Sequence, residues 1–218
     1  MPTLFHELTR HTRDLGDHPA VVFVDAGTGE RTELGFRTLH NWVSKTANLL
    51  ADALDITLGD EVTVEGPLHW LMPVACFATW ACGAAVRLDP GGQASIGHEA
   101  DTSEAADVLI GTGMGGRPTG PVPGEALTVT DILAEPDDFI SDPEDPGAWA
   151  IGGRTQATLL GETQRAAPET RILHHGDRLT EDTVFVIART LAAGTGLVLA
   201  RGFDGPGLAR LAQQEGVS

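Results

Sequence analysis

A glycine pattern after a short apolar segment is the first feature whose residue types and spacing could do chemistry. Gly111, Gly113 and Gly116 form a Gly-x-Gly-x-x-Gly pattern directly after the apolar residues 108–110. In dinucleotide-binding proteins the third glycine opens a helix, and the N-terminal amides of that helix hold the pyrophosphate. Three prolines within residues 117–123 prevent such a helix here. The pattern therefore favours a flexible loop over a dinucleotide site.

His174 and His175 are a second candidate, because imidazole is a common ligand of transition metals. Adjacent histidines on one backbone point apart, and no second cluster at a metal-ligand spacing completes the set. Cys76 and Cys82 lie six residues apart in an apolar stretch, which is typical of buried thiols in a reducing compartment. We predict no metal site and a cytoplasmic protein.

The charge of the chain argues against several kinds of partner. The 218 residues include 31 Asp and Glu against 14 Lys and Arg, a formal net charge of −17 at pH 7. Such a surface repels phosphate backbones and anionic lipids, so we predict no nucleic acid and no membrane as partners. The single lysine is Lys45. A mechanism that needs two lysines therefore cannot run on this chain alone.

An uncharged run from Gly66 to Val86 is long enough to cross a membrane. His69, Pro73 and Thr79 interrupt its apolar character, and charged residues flank it closely. This composition favours a helix buried in a protein core over a membrane span.

Strands and helices alternate along the first ninety residues, which predicts an α/β fold with a mainly parallel β-sheet flanked by helices. The helix over residues 36–54 is indicated by apolar residues at three- and four-residue spacing, with Gly35 before it. The other predicted elements are a strand at 20–24, its hairpin partner at 31–34, a strand ending at Val64, a helix from Pro67 to near Gly83, and a strand at 84–88.

The remaining sequence predicts fewer elements, and we treat residues 1–218 as a single domain. Residues 91–147 form a loop-rich middle that contains one strand entry at 104–110 and an acidic, solvated loop at 135–145. Regular spacing of apolar residues returns in the last forty residues. The elements predicted there are a helix at 180–192, a strand at 194–200 and a helix at 207–214.

Two segments in this arrangement resemble the AMP-forming acyl-CoA synthetases of the adenylate-forming (luciferase-like) superfamily. The first is Cys82-Gly-Ala-Ala-Val-Arg-Leu-Asp-Pro90, which follows the segments 30–39 and 58–64 in the order found in that family. The second is Leu191-Ala-Ala-Gly-Thr-Gly-Leu-Val-Leu199, followed by Phe203-Asp204. The resemblance implies the fold of the first N-terminal lobe of these enzymes.

The resemblance also implies where ATP phosphates would bind. The Ser/Thr/Gly-rich loop of the family ends in Pro-Lys-Gly, and its spacing from Asp89-Pro90 places it at residues 152–161. Leu160 stands there in the position of the lysine, and a rival register at 111–120 has Thr119 in that position. The family would also continue beyond Ser218 into a further sheet and a C-terminal domain with a second catalytic lysine. We therefore expect no catalytic residue and no ATP, AMP or CoA cofactor.

Three hypotheses about function follow. The first is a degenerate, non-catalytic relative of these enzymes that acts through self-association or partner binding, as a homo-oligomer or with a protein partner, at an exposed apolar flank. The second is residual binding of a nucleotide or acyl-CoA-like molecule, in which Gly152, Gly153 and Thr155 offer backbone amides to an anion and His174 or His175 lines the pocket. The third is acid–CoA ligase activity completed by another subunit.

Overall fold

The computed structural model describes residues 1–99, 106–165 and 171–217. These residues form two sheets and a two-stranded hairpin, with helices packed on them. The helices are α1 (Leu4–Leu15), α2 (Phe36–Leu54), α3 (Leu71–Ala81), α4 (Val129–Ala134), α5 (Gln156–Arg165), α6 (Glu181–Leu191) and α7 (Gly205–Glu215). The strands are β1 (Pro19–Asp25), β2 (Arg31–Gly35), β3 (Glu61–Val64), β4 (Ala85–Arg87), β5 (Ala94–His98), β6 (Val108–Ile110), β7 (Leu127–Thr128), β8 (Trp149–Ile151), β9 (Arg154–Thr155), β10 (Ile172–His175) and β11 (Leu197–Arg201). The predicted α/β class is confirmed.

The strands divide between two sheets, whereas the sequence predicted one. The first sheet has the order β10-β11-β1-β2 and is parallel except for the β1–β2 hairpin. The second has the order β4-β3-β5-β6-β7, and all of its strand pairs are parallel. Three of its five strands come from residues 91–147, which we predicted to be loop-rich. Strand β6 lies within the predicted strand entry at 104–110, whereas β5 and β7 were not predicted, because β7 is only two residues long and β5 carries Gly97.

Helix α3 occupies the centre of the core, and every one of its residues is buried. This burial accounts for the uncharged run in the sequence. The helix begins at Leu71 and not at Pro67, because Pro67 forms an isolated β-bridge with Arg178. None of the helices in the three described ranges is long and apolar enough to span a membrane.

The chain segments 66–68 and 177–179 run side by side and join the two sheets. The Leu68 N–H donates to the Asp177 carbonyl over 2.9 Å, and the Leu179 N–H donates to the Gly66 carbonyl over 3.1 Å. Arg201, at the end of β11, donates to the Leu68 carbonyl over 3.1 Å. We call this contact between the sheets the seam.

Most predicted helix boundaries agree with the structure. Helix α2 begins and ends where the spacing predicts, and α6 begins after Thr180, whose side chain accepts the Thr183 N–H. Helices α1, α4 and α5 and strand β10 were not predicted. Residues 104 and 105 of the predicted strand entry lie outside the described residues, and β6 forms from its last three positions.

Candidate functional site

A tight β-hairpin stands at the position where the resemblance implies a phosphate-binding loop. Strands β8 and β9 pair antiparallel, with Ile151 opposite Arg154, so Gly152 and Gly153 form a two-residue turn between them. Their φ angles are +55° and +73°. Positive φ at both central residues is the signature of a type I′ turn, which glycine adopts at little cost. These residues therefore close a hairpin and do not form an extended loop.

Helix α5 follows this hairpin immediately, and the N–H groups of its first turn already have partners. The Gln156 N–H donates to the Ala148 carbonyl over 2.8 Å, and the Ala157 N–H donates to the Pro146 carbonyl over 2.8 Å. The Thr158 N–H donates to the Thr155 hydroxyl over 3.2 Å. A phosphate at a helix N-terminus binds through such amides. Thr155 thus serves as a helix cap, and these three amides are engaged within the chain.

The cationic side chain of the hairpin is balanced by carboxylates. Arg154 lies 3.4 Å from Glu162 and 3.4 Å from Glu181, and its guanidinium stacks 4.6 Å above the Phe185 ring. Leu160, where the resemblance implies the lysine of the phosphate loop, belongs to α5 and is only 1% exposed. A triphosphate carries several negative charges that must be matched by cations or amides. The described residues at this hairpin do not fit ATP.

Lys45 also lies in a different place. It projects from α2 and donates hydrogen bonds to the main-chain carbonyls of Glu135 and Leu133. Its ammonium group therefore binds the acidic segment that follows α4 and takes no part in the hairpin.

Gln156 has a structural role that sequence reasoning missed. Its side-chain oxygen accepts the Leu4 N–H over 3.1 Å, and its side-chain amide donates to the Trp80 carbonyl over 2.9 Å. The residue is 1% exposed. The Trp80 indole N–H in turn donates to the Ala150 carbonyl over 3.1 Å. This buried network ties the hairpin and α5 to the start of α1 and the end of α3. No sequence pattern marks a lone glutamine as such a contact.

The first histidine of β10, His174, contacts α6. The His174 Nε2 is 3.0 Å from the Thr183 hydroxyl, and burial, opposed in part by Asp182, lowers the pKa of His174 below its usual value. His175 ends the strand and is exposed. Gly152 approaches the same helix turn, since a Cβ there would lie 2.9 Å from a Glu181 carboxylate oxygen. The structure thus brings Gly152 and His174 to the start of one helix.

That helix start has the wrong charge for an anion. Thr180 caps α6, and Glu181 and Asp182 place two carboxylates in its first turn. Within the described residues, no group of three or more His, Cys, Asp or Glu side chains is placed to hold a metal ion. The residual ligand site at Gly152, Gly153, Thr155, His174 and His175 stays a prediction.

The glycine pattern at 111–116 forms a closed loop with a single three-residue 3-10 turn, Met114–Gly116. The Gly111 N–H donates to the Gly116 carbonyl over 2.7 Å. The Glu99 carboxylate accepts hydrogen bonds from the backbone and hydroxyl groups of Thr112 and Thr119. Burial raises the pKa of Glu99, but these four bonds outweigh it and lower that pKa to about 2. A carboxylate stands where a dinucleotide site would need room for phosphates.

Residues 136–143, which we call the ridge, separate two surface clefts. The acidic cleft, about 760 Å³, lies between the ridge and the C-terminal ends of α2 and α3, with Asp52 among its lining residues. The arginine cleft, about 430 Å³, lies between the ridge and α1, with Arg10 and Arg13 among its lining residues. The sequence predicted a solvated loop here. The ridge is exposed, but it is also anchored to the core.

Hydrogen bonds and an aromatic contact fix the ridge in place. Asn48 donates to the main-chain carbonyls of Pro136 and Asp138 over 3.1 and 2.9 Å. The Ser141 hydroxyl donates to the Ala81 carbonyl over 2.6 Å. Phe139 packs edge-on against Phe5 with ring centroids 6.1 Å apart. The ridge is therefore a preformed surface feature.

Comparison with known proteins shows which of them share this fold. No protein-family model matches the sequence. A Mycobacterium tuberculosis protein named "TIGR03089 family protein" is 28% identical over 196 residues, which are 84% of this chain and 80% of that protein. Acetoacetyl-CoA synthetase from Streptomyces lividans matches 99% of this chain and 41% of its own, with a TM-score of 0.79 and 17% identity.

A second solved structure gives the same result. The luciferase-like enzyme from the nonluminescent Zophobas morio mealworm matches 99% of this chain and 58% of its own, with a TM-score of 0.76 and 14% identity. The chain therefore spans about half the length of the solved enzymes that it matches. The resemblance is confirmed at the level of the fold: this chain has the architecture of the N-terminal lobe of the luciferase-like, AMP-forming acyl-CoA synthetases.

Proposed function

We propose that this protein is a non-catalytic relative of the AMP-forming acyl-CoA synthetases that acts through self-association or partner binding. The observation that carries the proposal is that the β8–β9 hairpin, with its turn at Gly152 and Gly153, stands where the phosphate loop is expected and is followed directly by α5. Phosphoryl-type chemistry depends on cations positioned against the charge that develops in the transition state. At this hairpin Arg154 is already neutralised by Glu162 and Glu181.

The overall charge supports the same proposal. A net charge of −17 disfavours the long-range approach of a triphosphate anion. Lys45, the single lysine of the sequence, is engaged with the carbonyl of Glu135. A protein that keeps the lobe but binds no triphosphate would act through its surface.

Acid-dependent exchange of labelled pyrophosphate into ATP tests this proposal directly. We expect exchange no higher than in a blank without acid, for a panel of short, medium and long carboxylic acids. An active acyl-CoA synthetase assayed in parallel provides the positive control. Exchange that depends on one of the acids would overturn the proposal and would support ligase activity.

Thermal unfolding with ATP, AMP and an acyl-CoA distinguishes a residual ligand site from a purely protein-binding role. A ligand present at a hundred times its dissociation constant stabilises a protein by about 2.7 kcal/mol. We expect no rise in the melting temperature with any of the three. A rise that disappears in His174→Ala would instead support the residual site at Gly152 and His174.

A further inference from the structure

We infer that the protein forms a two-fold symmetric dimer through the ridge, residues 136–143, and the two clefts beside it. The inference rests on the self-association part of the proposed function and adds the surface and the partner, a second copy of the same chain. Three observations carry it: an exposed apolar crest, clefts of different charge on its two sides, and the firm anchoring of the ridge.

The crest of the ridge is apolar and exposed. The side chain of Ile140 is 84% exposed and lines both clefts. Leu58 is 41% exposed and lines the acidic cleft with Ile140. Exposed apolar groups that adjoin a cleft are typical of protein contact surfaces. A partner that covers Ile140 removes this apolar surface from water.

The two clefts differ in charge. The acidic cleft is lined by Asp52, Asp138 and Asp142, and no Lys, Arg or His stands among its described lining residues. The C-terminal ends of α2 and α3 border it and add the negative ends of two helix dipoles. This cleft therefore attracts cationic side chains.

The arginine cleft supplies such side chains. Arg10 and Arg13 of α1 line it together with His6 and His40, and the carboxylates that line it are Asp138 and Glu144. Arg10 is paired with Glu7 at 2.6 Å, and His6 lies 3.7 Å from Glu144. Arg13 is exposed, which leaves its guanidinium accessible to a partner.

A second copy fits this arrangement better than a cationic segment of another protein. In an isologous dimer the same patch is used on both subunits, so the patch must be complementary to itself. A two-fold axis that passes Ile140 along the ridge places the acidic cleft of each subunit opposite the arginine cleft of the other. The dimer therefore contains two equivalent contacts between oppositely charged clefts. A single cationic segment would fill the acidic cleft alone and leave Arg13 without a partner carboxylate.

The anchoring of the ridge supports the same conclusion. Asn48 of α2 donates hydrogen bonds to the ridge, and Ser141 of the ridge donates one to α3. A preformed surface loses little conformational entropy when a partner binds. The ridge can therefore act as a contact surface without first being ordered.

Charge reversal across the two-fold axis tests the dimer. We expect light scattering after gel filtration to give a dimer for the native chain. Arg13→Glu and Asp52→Arg, each alone, should raise the dimer dissociation constant at least tenfold, because each places like charges opposite one another. The double variant R13E/D52R should restore it to within about threefold of the native value. Arg210→Glu, an exposed arginine of α7 on neither cleft, is the matched control.

Two further results keep the inference separate from the proposed function. A dimer that resists both single reversals and Ile140→Ser would overturn the inference and leave self-association standing at another surface. A monomer for the native chain at all concentrations would overturn the inference and reduce the proposed function to partner binding. Acid-dependent pyrophosphate exchange tests only whether the protein lacks catalytic activity, and its result does not bear on the dimer. Far-ultraviolet circular dichroism shows that each variant is folded.

Discussion

At the scale of single residues, buried polar side chains decide how the hairpin is attached to the lobe. Gln156 satisfies one donor on α1 and one acceptor at α3, and both partner atoms belong to the buried backbone. A buried polar group that loses its partner costs more free energy than the bond itself contributes. The segment where the resemblance implies a phosphate loop is therefore held in place by a structural hydrogen-bond network.

Replacing Gln156 by alanine tests this contact. We expect Gln156→Ala to lower the free energy of unfolding by about 2–4 kcal/mol, since two buried backbone groups lose their partners. Urea unfolding followed by circular dichroism measures the change. Gln213→Ala, at an exposed position of α7, should change it by no more than about 0.5 kcal/mol. Equal effects of the two substitutions would contradict the role of Gln156.

A second buried residue makes the stability depend on pH. His69 is enclosed by the rings of Phe23, Trp70 and His98, and its Nδ1 accepts the Leu71 N–H over 3.2 Å. Burial above all, with help from the nearby His98 and Arg201, lowers the pKa of His69 to about 3. In the unfolded chain His69 takes up a proton as the pH falls through 6.5, whereas in the folded chain it stays neutral down to about pH 3. The contribution of His69 to the free energy of unfolding is therefore fully present above pH 6.5 and decreases as the pH drops towards 3.

The variant His69→Asn should reduce this acid sensitivity, because asparagine keeps an acceptor for the Leu71 N–H and does not titrate. Between pH 7.5 and 5.0 we expect the variant to lose up to about 2 kcal/mol less stability than the native chain. Urea unfolding at both pH values gives the comparison. Changes in the surface charge act equally on both proteins and cancel in the difference. The same loss in both would show that His69 is not responsible.

At the scale of elements, periodicity predicted the parts of the fold that are long or strongly amphipathic. Helix α2 was predicted at both ends because its apolar face repeats for five turns, and β1 was predicted by its β-branched run. The short strands β5 and β7 were missed because five and two residues carry little pattern, whereas the apolar residues of β6 were predicted as part of a strand entry. The clefts were missed because Ile140 belongs to a segment whose acidic residues indicated a solvated loop.

The hairpin turn gives a prediction at this scale. Gly153 has a φ of +73°, and a Cβ there meets nothing within 4 Å, so alanine would add backbone strain without a clash. We expect Gly153→Ala to lower the free energy of unfolding by about 1 kcal/mol and Gly153→Asn to lower it less. Gly120→Ala, at an exposed glycine with open space, should be close to neutral. A neutral Gly153→Ala would exclude the type I′ geometry.

At the scale of the whole molecule, charge determines which macromolecules can approach. The net charge of −17 makes the surface repel polyanions at long range, and salt screens that repulsion. The α/β class and this charge were both evident from the sequence. The charge difference between the acidic cleft and the arginine cleft was not, because Arg13 and Asp52 come together around the ridge only in the folded chain.

Binding to polyanions should therefore be absent. We expect the protein to pass through a heparin column without retention at about 50 mM salt and to remain in the supernatant with phosphatidylserine vesicles. A basic protein of similar size serves as the positive control. Retention that weakens with salt and disappears in Arg13→Glu would reveal a polyanion site in the arginine cleft.

The seam determines how the molecule unfolds locally. Leu68 and Leu179 each donate across it, and Arg201 reaches from β11 both to the Leu68 carbonyl and to the Asp25 carboxylate at the end of β1. Neither sheet can come apart locally without exposing backbone groups that belong to the other. In deuterium exchange, the amides of Leu68 and Leu179 should gain mass in step with the central strands of both sheets, as one cooperative unit.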